Sequence, residues 1–385
     1  MSIMEQLVLF AIPIFTLLMA VEFAYGWFQN KNNYSWEDTF TNLLQGLISR
    51  LSQFVNQFFH IGIYTVVYRL IWNDFQNPFW LSWMGIAIGL VAFDFCDYWF
   101  HRTEHKSAIF WASHVIHHQS KRYNLSVALR QVSTEPILGF VFYLPLAFIG
   151  MPPKQLLVTV LIVLFYQFWV HTEHIGKMGW FDWVFNSPAN HRVHHATNAQ
   201  YVDKNYGGFL MVWDHLFGTY EPEVEPCVYG TLKPFDSVDP VWIVLSGYVN
   251  VFRSVRQTSG WFDKLRKIFM PPGWENTEQI RTKPLMESEP ARQTNVGELK
   301  QILWSRSNVV VCLLQFFSIV AVTVLFLSVE EEVVYKDALQ IIAAILLMCW
   351  SLGAQMNGKV NYLHLLLIDS VSATLIGFKL LPYLV

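Results

Sequence analysis

Charged side chains are scarce in this 385-residue chain: Asp, Glu, Lys and Arg make up 14% of it, against about 25% in an ordinary soluble domain. The net charge is -3, so the chain lacks the positive field that attracts nucleic acids, and no nucleic-acid partner is expected. Only four cysteines occur, without a CxxC pair, which argues against a disulfide framework and a thiolate zinc site. Apolar residues are abundant instead, with 53% hydrophobic and 16% aromatic residues, and this excludes a disordered chain.

Eight apolar segments are long enough for membrane helices or for the arms of a membrane hairpin. A helix needs about 20 apolar residues to cross a bilayer core of about 30 Å. The predicted segments are 3–28, 41–72, 79–100, 136–151, 155–170, 309–329, 338–354 and 362–385. The first has no basic region before it and no small-residue cleavage site, so we expect a retained span rather than a signal peptide. The expected fold class is all-α, a polytopic membrane helical bundle.

Basic residues indicate the orientation of the bundle. Five Lys and Arg lie in residues 101–134 and fourteen in residues 171–308, out of 26 in the chain. The positive-inside rule places both segments in the cytoplasm. The N-terminus and the acidic loop 330–332 then face the opposite side. We therefore expect a multi-pass integral membrane protein of a bacterial inner membrane or the endoplasmic reticulum.

Histidines form the most informative pattern, since ten of the 13 lie between His101 and His195. Eight of them fall in three boxes, spaced HxxxH, HxxHH and HxxHH, in which positions i, i+3 and i+4 share one helix face. The boxed residues are His101, His105, His114, His117, His118, His191, His194 and His195. One metal ion rarely takes eight protein ligands, so the boxes predict two metal ions on the cytoplasmic side. His171 and His174, after the fifth apolar segment, are further candidate ligands.

Two carboxylates precede the first box on the same helical stripe. Asp94, Asp97 and His101 fall at positions i, i+3 and i+7. Such carboxylates can hydrogen-bond ligating histidines and offset the charge of two metal ions. An all-nitrogen site at the rim of an apolar bundle favours redox iron over hydrolytic zinc, which needs fewer ligands and an open position.

A metal transporter or another non-catalytic metal-binding membrane protein is a distant alternative. Transport histidines are expected to line the spans at mid-bilayer depth, whereas these boxes cluster at the cytoplasmic ends of the spans.

The order of the three boxes resembles the fatty acid hydroxylase/sterol desaturase superfamily of membrane di-iron oxygenases. The segments between the boxes look like the alkylglycerol monooxygenase branch and its bacterial relatives, and the resemblance is close over about residues 80–222. The segments that carry it are YNLSVALRQ at 123–131, YQFWVHTE at 166–173, NSP at 186–188, DKNYG at 203–207 and WDHLFGT at 213–219.

This resemblance implies a membrane stem under a cytoplasmic, histidine-rich cap that holds two iron ions, with the eight boxed histidines as ligands. It implies a lipid substrate, O2 and an electron donor as partners. One oxygen atom would enter the carbon next to the ether oxygen of an alkylglycerol, and the product would collapse to a fatty aldehyde and glycerol. A sterol or fatty-acyl hydroxylase or desaturase of the same superfamily is the alternative.

The electron donor and the oligomeric state stay open at this stage. The animal members of the branch use tetrahydrobiopterin and resemble one another in an acidic residue after the first box, where this chain has Lys106. A ferredoxin or a cytochrome is therefore an equal possibility. The expected division of the chain is 1–78 for N-terminal spans, 79–222 for the hydroxylase-like region, 223–308 for a cytoplasmic linker with an interfacial amphipathic piece near 241–269, and 309–385 for C-terminal spans.

Overall fold

The described part of the chain folds largely as α-helices. The computed structural model describes residues 3–72, 77–233, 235–275, 306–357 and 362–384. Within these ranges no strand occurs, and two isolated β-bridges, Phe185 with Leu210 and Ala196 with Tyr229, are the only extended pairings. The predicted all-α membrane bundle is therefore confirmed.

The helices are numbered here in chain order. They are α1 (Ile3–Phe28), α2 (Trp36–Gln57), α3 (Ile63–Ile71), α4 (Trp83–Lys106), α5 (Ala108–His118), α6 (Glu135–Phe148), α7 (Pro153–Trp169), α8 (Trp180–Val184), α9 (Pro188–His195), α10 (Val212–Phe217), α11 (Pro240–Gln257), α12 (Trp261–Phe269), α13 (Arg306–Val329), α14 (Tyr335–Met356) and α15 (Tyr362–Leu384). A π-helical turn (Phe58–Gly62) joins α2 to α3, and 3-10 turns occupy Pro78–Leu81 and Leu125–Leu129.

Four helices in the described part of the chain are long and apolar enough to cross a membrane, judged by length and composition. They are Trp83–Lys106, Val309–Val329, Tyr335–Met356 and His364–Leu384. Shorter apolar helices occupy Pro13–Phe28, Glu135–Phe148 and Pro153–Trp169, within three other predicted segments. The turn between α6 and α7 falls at Pro152, where the hairpin was expected.

The segment predicted as a span over 41–72 is helical but is not among these four. The reason is a polar face on α2, which supports the loop after the second box. Asn42 Nδ2 donates to Ser126 Oγ at 2.9 Å, and Asn56 Nδ2 donates to the Ser133 carbonyl at 2.7 Å. Ser49 Oγ also donates to a carbonyl of this loop, that of Val132. These buried polar groups are satisfied by protein rather than exposed to lipid, as a membrane-embedded segment requires.

An apolar core joins α3, α4, α6 and α7. Its buried members are Tyr64, Tyr68, Trp80, Phe93, Cys96, Leu146, Ala147, Met151, Leu156 and Val163. The Tyr64 hydroxyl donates to the Met151 carbonyl at 2.7 Å, so this buried hydroxyl is paired. The core holds the first half of α4 in place, and the C-terminal half of α4 carries the first histidine box.

The chain divides into two compact units, Met1–Asp236 and Ser237–Val385. Residues 223–233 and 235–236, which the sequence places at the start of the linker, lie in the first unit. In the second unit, Gln315 Nε2 donates to Ser351 Oγ at 3.0 Å and to Asp369 Oδ2 at 2.6 Å, which links α13, α14 and α15. Residues 276–305 of the predicted linker lie outside the described residues, and the four-part division stays a prediction.

Candidate metal centre

Nine histidines converge as two groups of ring nitrogens. Site A comprises His101, His105, His114, His118 and His194. Site B comprises His117, His171, His191 and His195. Within each site the possible ligand atoms all lie within 4.8 Å of one another. The structure thus brings together all eight boxed histidines and His171, whereas His174 lies against Tyr25 with a ring-centroid distance of 5.2 Å.

Helix geometry explains how adjacent histidines reach different sites. Neighbouring residues on a helix point about 100° apart, so His117 faces site B while His118 faces site A. The same division separates His194 from His195 on α9. The start of α9 is fixed locally, because Pro188 occupies its first turn and the Ser187 hydroxyl accepts from the Asn190 amide at 3.4 Å.

Backbone carbonyls fix the tautomers of several rings. His117 Nδ1 lies 3.2 Å from the Arg130 carbonyl, and His171 Nδ1 lies 2.8 Å from the Gln167 carbonyl. A carbonyl only accepts, so each Nδ1 carries the proton and each Nε2 of the neutral ring has a lone pair. Yet the two Nε2 atoms lie 3.2 Å apart. Two lone pairs at this distance repel each other unless a cation lies between them.

The same arrangement recurs in site A. His101 Nδ1 lies 2.8 Å from the Tyr206 carbonyl, and His114 Nδ1 lies 3.1 Å from Glu104 Oε2. Their Nε2 atoms are 3.1 Å apart. In addition, the buried Nε2 atoms of His105 and His194 have no hydrogen-bond partner among the described residues. A polar atom buried without a partner is costly, and a metal ion satisfies it.

Burial also keeps these rings neutral. Desolvation lowers the pKa of His114 and of His117 to about 3. For five more rings, burial and then repulsion by neighbouring histidines hold the pKa well below its usual range: His118, His171, His191, His194 and His195. Neutral imidazole is the form that binds a metal ion.

The nitrogen spacing fits metal coordination. A metal–imidazole bond is about 2.1 Å long, so two ligand nitrogens at right angles around the metal lie about 3.0 Å apart. In site B, His191 Nε2 lies 3.0 Å from His171 Nε2 and 3.2 Å from His195 Nε2. In site A, His118 Nε2 lies 3.1 Å from His114 Nε2. An all-imidazole donor set suits iron, copper, nickel or zinc.

Carboxylates hold two of the rings in site A. Glu104, only 3% exposed, faces His114 Nδ1, and Asp203 Oδ1 lies 3.7 Å from His105 Nδ1. Glu104 was not singled out from the sequence. The position of Glu104 between the two histidines of the first box was a usable signal, since it lies at i+3 from His101 on the same helical face.

The two carboxylates that were singled out have other contacts. Asp94 accepts hydrogen bonds from the Phe209 amide at 2.8 Å, the Leu210 amide at 3.1 Å and the Trp213 indole at 2.8 Å. Asp97 Oδ1 accepts from the Tyr143 hydroxyl at 2.8 Å. Asp94 thus anchors the segment that follows the third box. The role predicted for both residues beside the ligating histidines stays a prediction.

A buried arginine links the second box to α2. Arg130, 2% exposed, donates to the Ile116 carbonyl, to Asn42 Oδ1 and to Gln119 Oε1, and it faces Asp38 at 3.7 Å. Its own carbonyl is the acceptor that orients His117. The three donor groups hold this carbonyl in place, which makes Arg130 part of the support of site B.

A second arginine, missed from the sequence, lies inside the third box. Arg192 forms a two-pronged ion pair with Glu223, with distances of 2.8 and 2.7 Å. It also donates to the carbonyls of Thr172 and Ile175, both at 2.8 Å. Arg192 therefore joins α9 to the chain around His171 and to the segment after residue 220.

One cavity borders both sites. It has a volume of about 200 Å³ and is lined by His101 and His114 of site A and by His117, His171 and His191 of site B. Its other walls are mixed: Phe15, Phe100, Leu164 and Phe168 are apolar, and Asp97, Glu104, Glu135, Arg130, Gln131 and Gln167 are polar. A Cβ at position 208 on this wall would lie 2.5 Å from Asp97 Oδ2 and 2.6 Å from Gln167 Nε2, so a larger residue there would displace the ends of these two side chains.

A separate apolar groove of about 540 Å³ runs along α4 and α6. It is lined by Ile88, Val91, Phe95, Leu146 and Trp213, among others. Trp213 lines this groove as well, and a hydrogen bond from its indole N–H to Asp94 holds it in place. The groove offers an apolar surface of the kind that an alkyl chain needs.

Comparison with known proteins places this site in a class. Residues 86–219 match the family model of fatty acid hydroxylases. This match contains all three boxes and both histidine sites, so this part of the chain is similar to fatty acid hydroxylases. The superfamily inferred from the histidine spacing is confirmed.

Alkylglycerol monooxygenases are among its relatives. The chain is 37% identical to the enzyme of Homo sapiens over 268 residues, which are 69% of this chain and 59% of that protein. It is 36% identical to the Xenopus tropicalis enzyme over 265 residues, 68% of this chain and 58% of that protein. A Delta(7)-sterol 5(6)-desaturase of Gibberella zeae is 27% identical over 168 residues, 41% of this chain and 50% of that protein. The chain thus spans somewhat more than half the length of these monooxygenases. No solved structure matches it.

Proposed function

We propose that this protein is a membrane di-iron monooxygenase that hydroxylates an ether lipid at the carbon next to the ether oxygen and so releases a fatty aldehyde. The observation that carries the proposal is the pair of histidine sites around one cavity, in which facing Nε2 lone pairs require cations. The similarity to alkylglycerol monooxygenases supports the choice of an ether lipid.

The nine histidines would hold two iron ions, five rings at one ion and four at the other. Bound iron would supply the redox chemistry that O2 activation needs. The chain itself supplies orientation, since carbonyls of Tyr206, Arg130 and Gln167 fix the rings through Nδ1. The cavity walls limit access of water to the reacting carbon, which protects the chemistry from side reactions.

The alkyl chain and the polar end of the substrate would contact different walls. Phe15, Phe100 and Phe168 offer apolar contacts in the cavity, and carboxylate and amide side chains offer polar contacts. The groove along α4 and α6 would offer an apolar surface to the alkyl chain within the membrane, because it lies on a helix able to span the membrane.

The orientation and the electron donor are part of the proposal. The excess of Lys and Arg in residues 101–134 and 171–308 supports a cytoplasmic location of the histidine boxes. Electrons would come from tetrahydrobiopterin or from a ferredoxin or cytochrome. Lys106 forms an ion pair with Asp203 beside His105, so the residue after the first box is already engaged by the protein.

The test is aerobic incubation of the purified, iron-loaded full chain with labelled 1-O-hexadecylglycerol and each candidate reductant, followed by lipid mass spectrometry. Release of hexadecanal with glycerol supports the proposal. A stable alcohol or an alkene from a sterol or acyl lipid, with no aldehyde, would favour the alternative of a sterol or fatty-acyl hydroxylase or desaturase. That alternative draws support from the sterol desaturase relative.

His114→Ala should abolish product formation, because it removes a ring of site A. His215→Ala is the matched control, since His215 contacts the Trp183 carbonyl and lies outside both sites. Equal product from the two variants would contradict the proposal.

A further inference from the structure

We propose that Glu104 determines which lipids the site accepts. One of its carboxylate oxygens holds His114, and the other accepts a hydrogen bond from a hydroxyl group of the substrate. The inference rests on the proposed function and assigns to it the residue that recognises the polar end of the lipid.

The first support is the unequal use of the two Glu104 oxygens. Oε2 lies 3.1 Å from His114 Nδ1. Oε1 is buried and has no hydrogen-bond partner within the part of the chain that the structure describes. A buried acceptor without a partner is unfavourable, and native proteins rarely keep one without a reason. Glu104 also lines the cavity, so a ligand there can supply the missing donor.

The second support is an excess of acceptors on the cavity wall. Asp97 and Glu135 line the cavity with Glu104, and Arg130 is the only Lys or Arg among the lining residues. The guanidinium of Arg130 donates to the Ile116 carbonyl and to Asn42 and Gln119, so each of its three nitrogens already makes a hydrogen bond within the protein. Gln131 Nε2 donates to the Ala128 carbonyl. A ligand that brings donors, as a hydroxyl group does, complements this wall, whereas a second anion is repelled by it.

The third support is the position of Glu104 relative to the two histidine sites. Glu104 holds a ring of site A, and the cavity that it lines also borders site B through His117, His171 and His191. A hydroxyl bound at Glu104 would therefore place the neighbouring ether linkage beside both sites. Apolar side chains of Phe100, Leu164 and Phe168 on the same cavity would receive the first part of the alkyl chain.

The test measures binding without turnover. The iron-loaded full chain is kept free of oxygen, and dissociation constants are measured for 1-O-hexadecylglycerol and for hexadecyl propyl ether. The second compound lacks both hydroxyls and needs no more space. We expect the wild type to prefer the diol by at least about 10-fold, the cost of leaving one buried acceptor unpaired. In Glu104→Gln and Glu104→Ala the preference should fall towards unity.

Asp236→Asn is the matched control. Asp236 pairs with the exposed Lys121 at 2.5 Å, belongs to neither histidine site and does not line the cavity. Metal content is measured for every variant, and Asp236→Asn should keep the wild-type preference and the wild-type metal content. Glu104→Gln should keep its metal, because the amide oxygen can still accept from His114.

The outcomes separate the two levels of the proposal. An unchanged preference in both Glu104 variants would refute the substrate contact. A wild-type preference in the metal-loaded fraction of Glu104→Gln would reduce Glu104 to a partner of His114 and also refute it. A wild type that binds neither compound would reject the ether-lipid function itself, and the assignment of Glu104 with it.

Discussion

Removal of the His171 ring should empty one metal site and spare the other. His171 Nε2 lies between two other donors of site B, 3.0 Å from His191 Nε2 and 3.2 Å from His117 Nε2. His171→Ala leaves three donors in site B and all five in site A. Three neutral imidazoles without a carboxylate hold a divalent ion less tightly, so we expect about one iron per purified chain where the wild type holds about two.

Iron is quantified by elemental analysis after the same loading and desalting steps for each protein. The matched control is His174→Ala, three residues along the chain, whose ring packs against Tyr25 outside both sites. It should hold as much iron as the wild type. Equal iron in the two variants, whether full or absent, would refute the assignment of His171 to site B.

Three further predictions follow from the site and its surroundings. Burial holds the pKa of His114 and of His117 near 3, below the value of about 6.5 in an unfolded chain. The unfolded chain therefore binds more protons than the folded chain between these pH values. Both the free energy of unfolding and the amount of bound metal should fall as the pH drops from about 6.5 towards 3. Thermal unfolding and metal release are measured across this pH range. In sealed cells, a cysteine at Lys121 should be protected from an impermeant maleimide and one at Glu331 should react; the reverse pattern would overturn the cytoplasmic orientation. Asp97→Asn should lower turnover per bound iron by about 10–100-fold, whereas an unchanged turnover per iron would show that Asp97 only supports the fold.

The histidine boxes were predictable because their chemistry is local. Spacing of three and four residues on a helix brings imidazoles to one face whatever the rest of the fold does. The membership of each site was not predictable in the same way. It depends on how α4, α5 and α9 are packed, and on which of two adjacent rings, such as His117 and His118, faces each neighbour.

The supports of the site were harder to predict than its ligands. The rings of His117 and His171 are oriented by backbone carbonyls, which have no signature in the sequence. Asp94 was placed correctly on the helical stripe of His101, yet its hydrogen bonds go to residues more than a hundred positions later in the chain. Long-range partners of this kind depend on tertiary packing, which the periodicity of one helix does not report.

The polar face of α2 was not predicted either. The segment 41–72 was expected to be a membrane span, and its place in the membrane stays a prediction. Asn42 and Asn56 of α2 bind the loop after the second box. The partners of such a face depend on tertiary packing, which the apolar content of one segment does not give.

The two sites draw their ligands from very different lengths of chain, and this sets the order in which the protein can be built. Site A has four of its five rings between positions 101 and 118, so most of it exists once α5 has left the ribosome. Site B gathers its rings from position 117 to position 195 and has a single donor until His171 is synthesised. Closing a longer loop costs more chain entropy. Under the proposed function, most of site A would therefore be ready to bind a metal ion before site B, which needs α9 to dock, and iron shortage would leave site B empty in half-loaded chains.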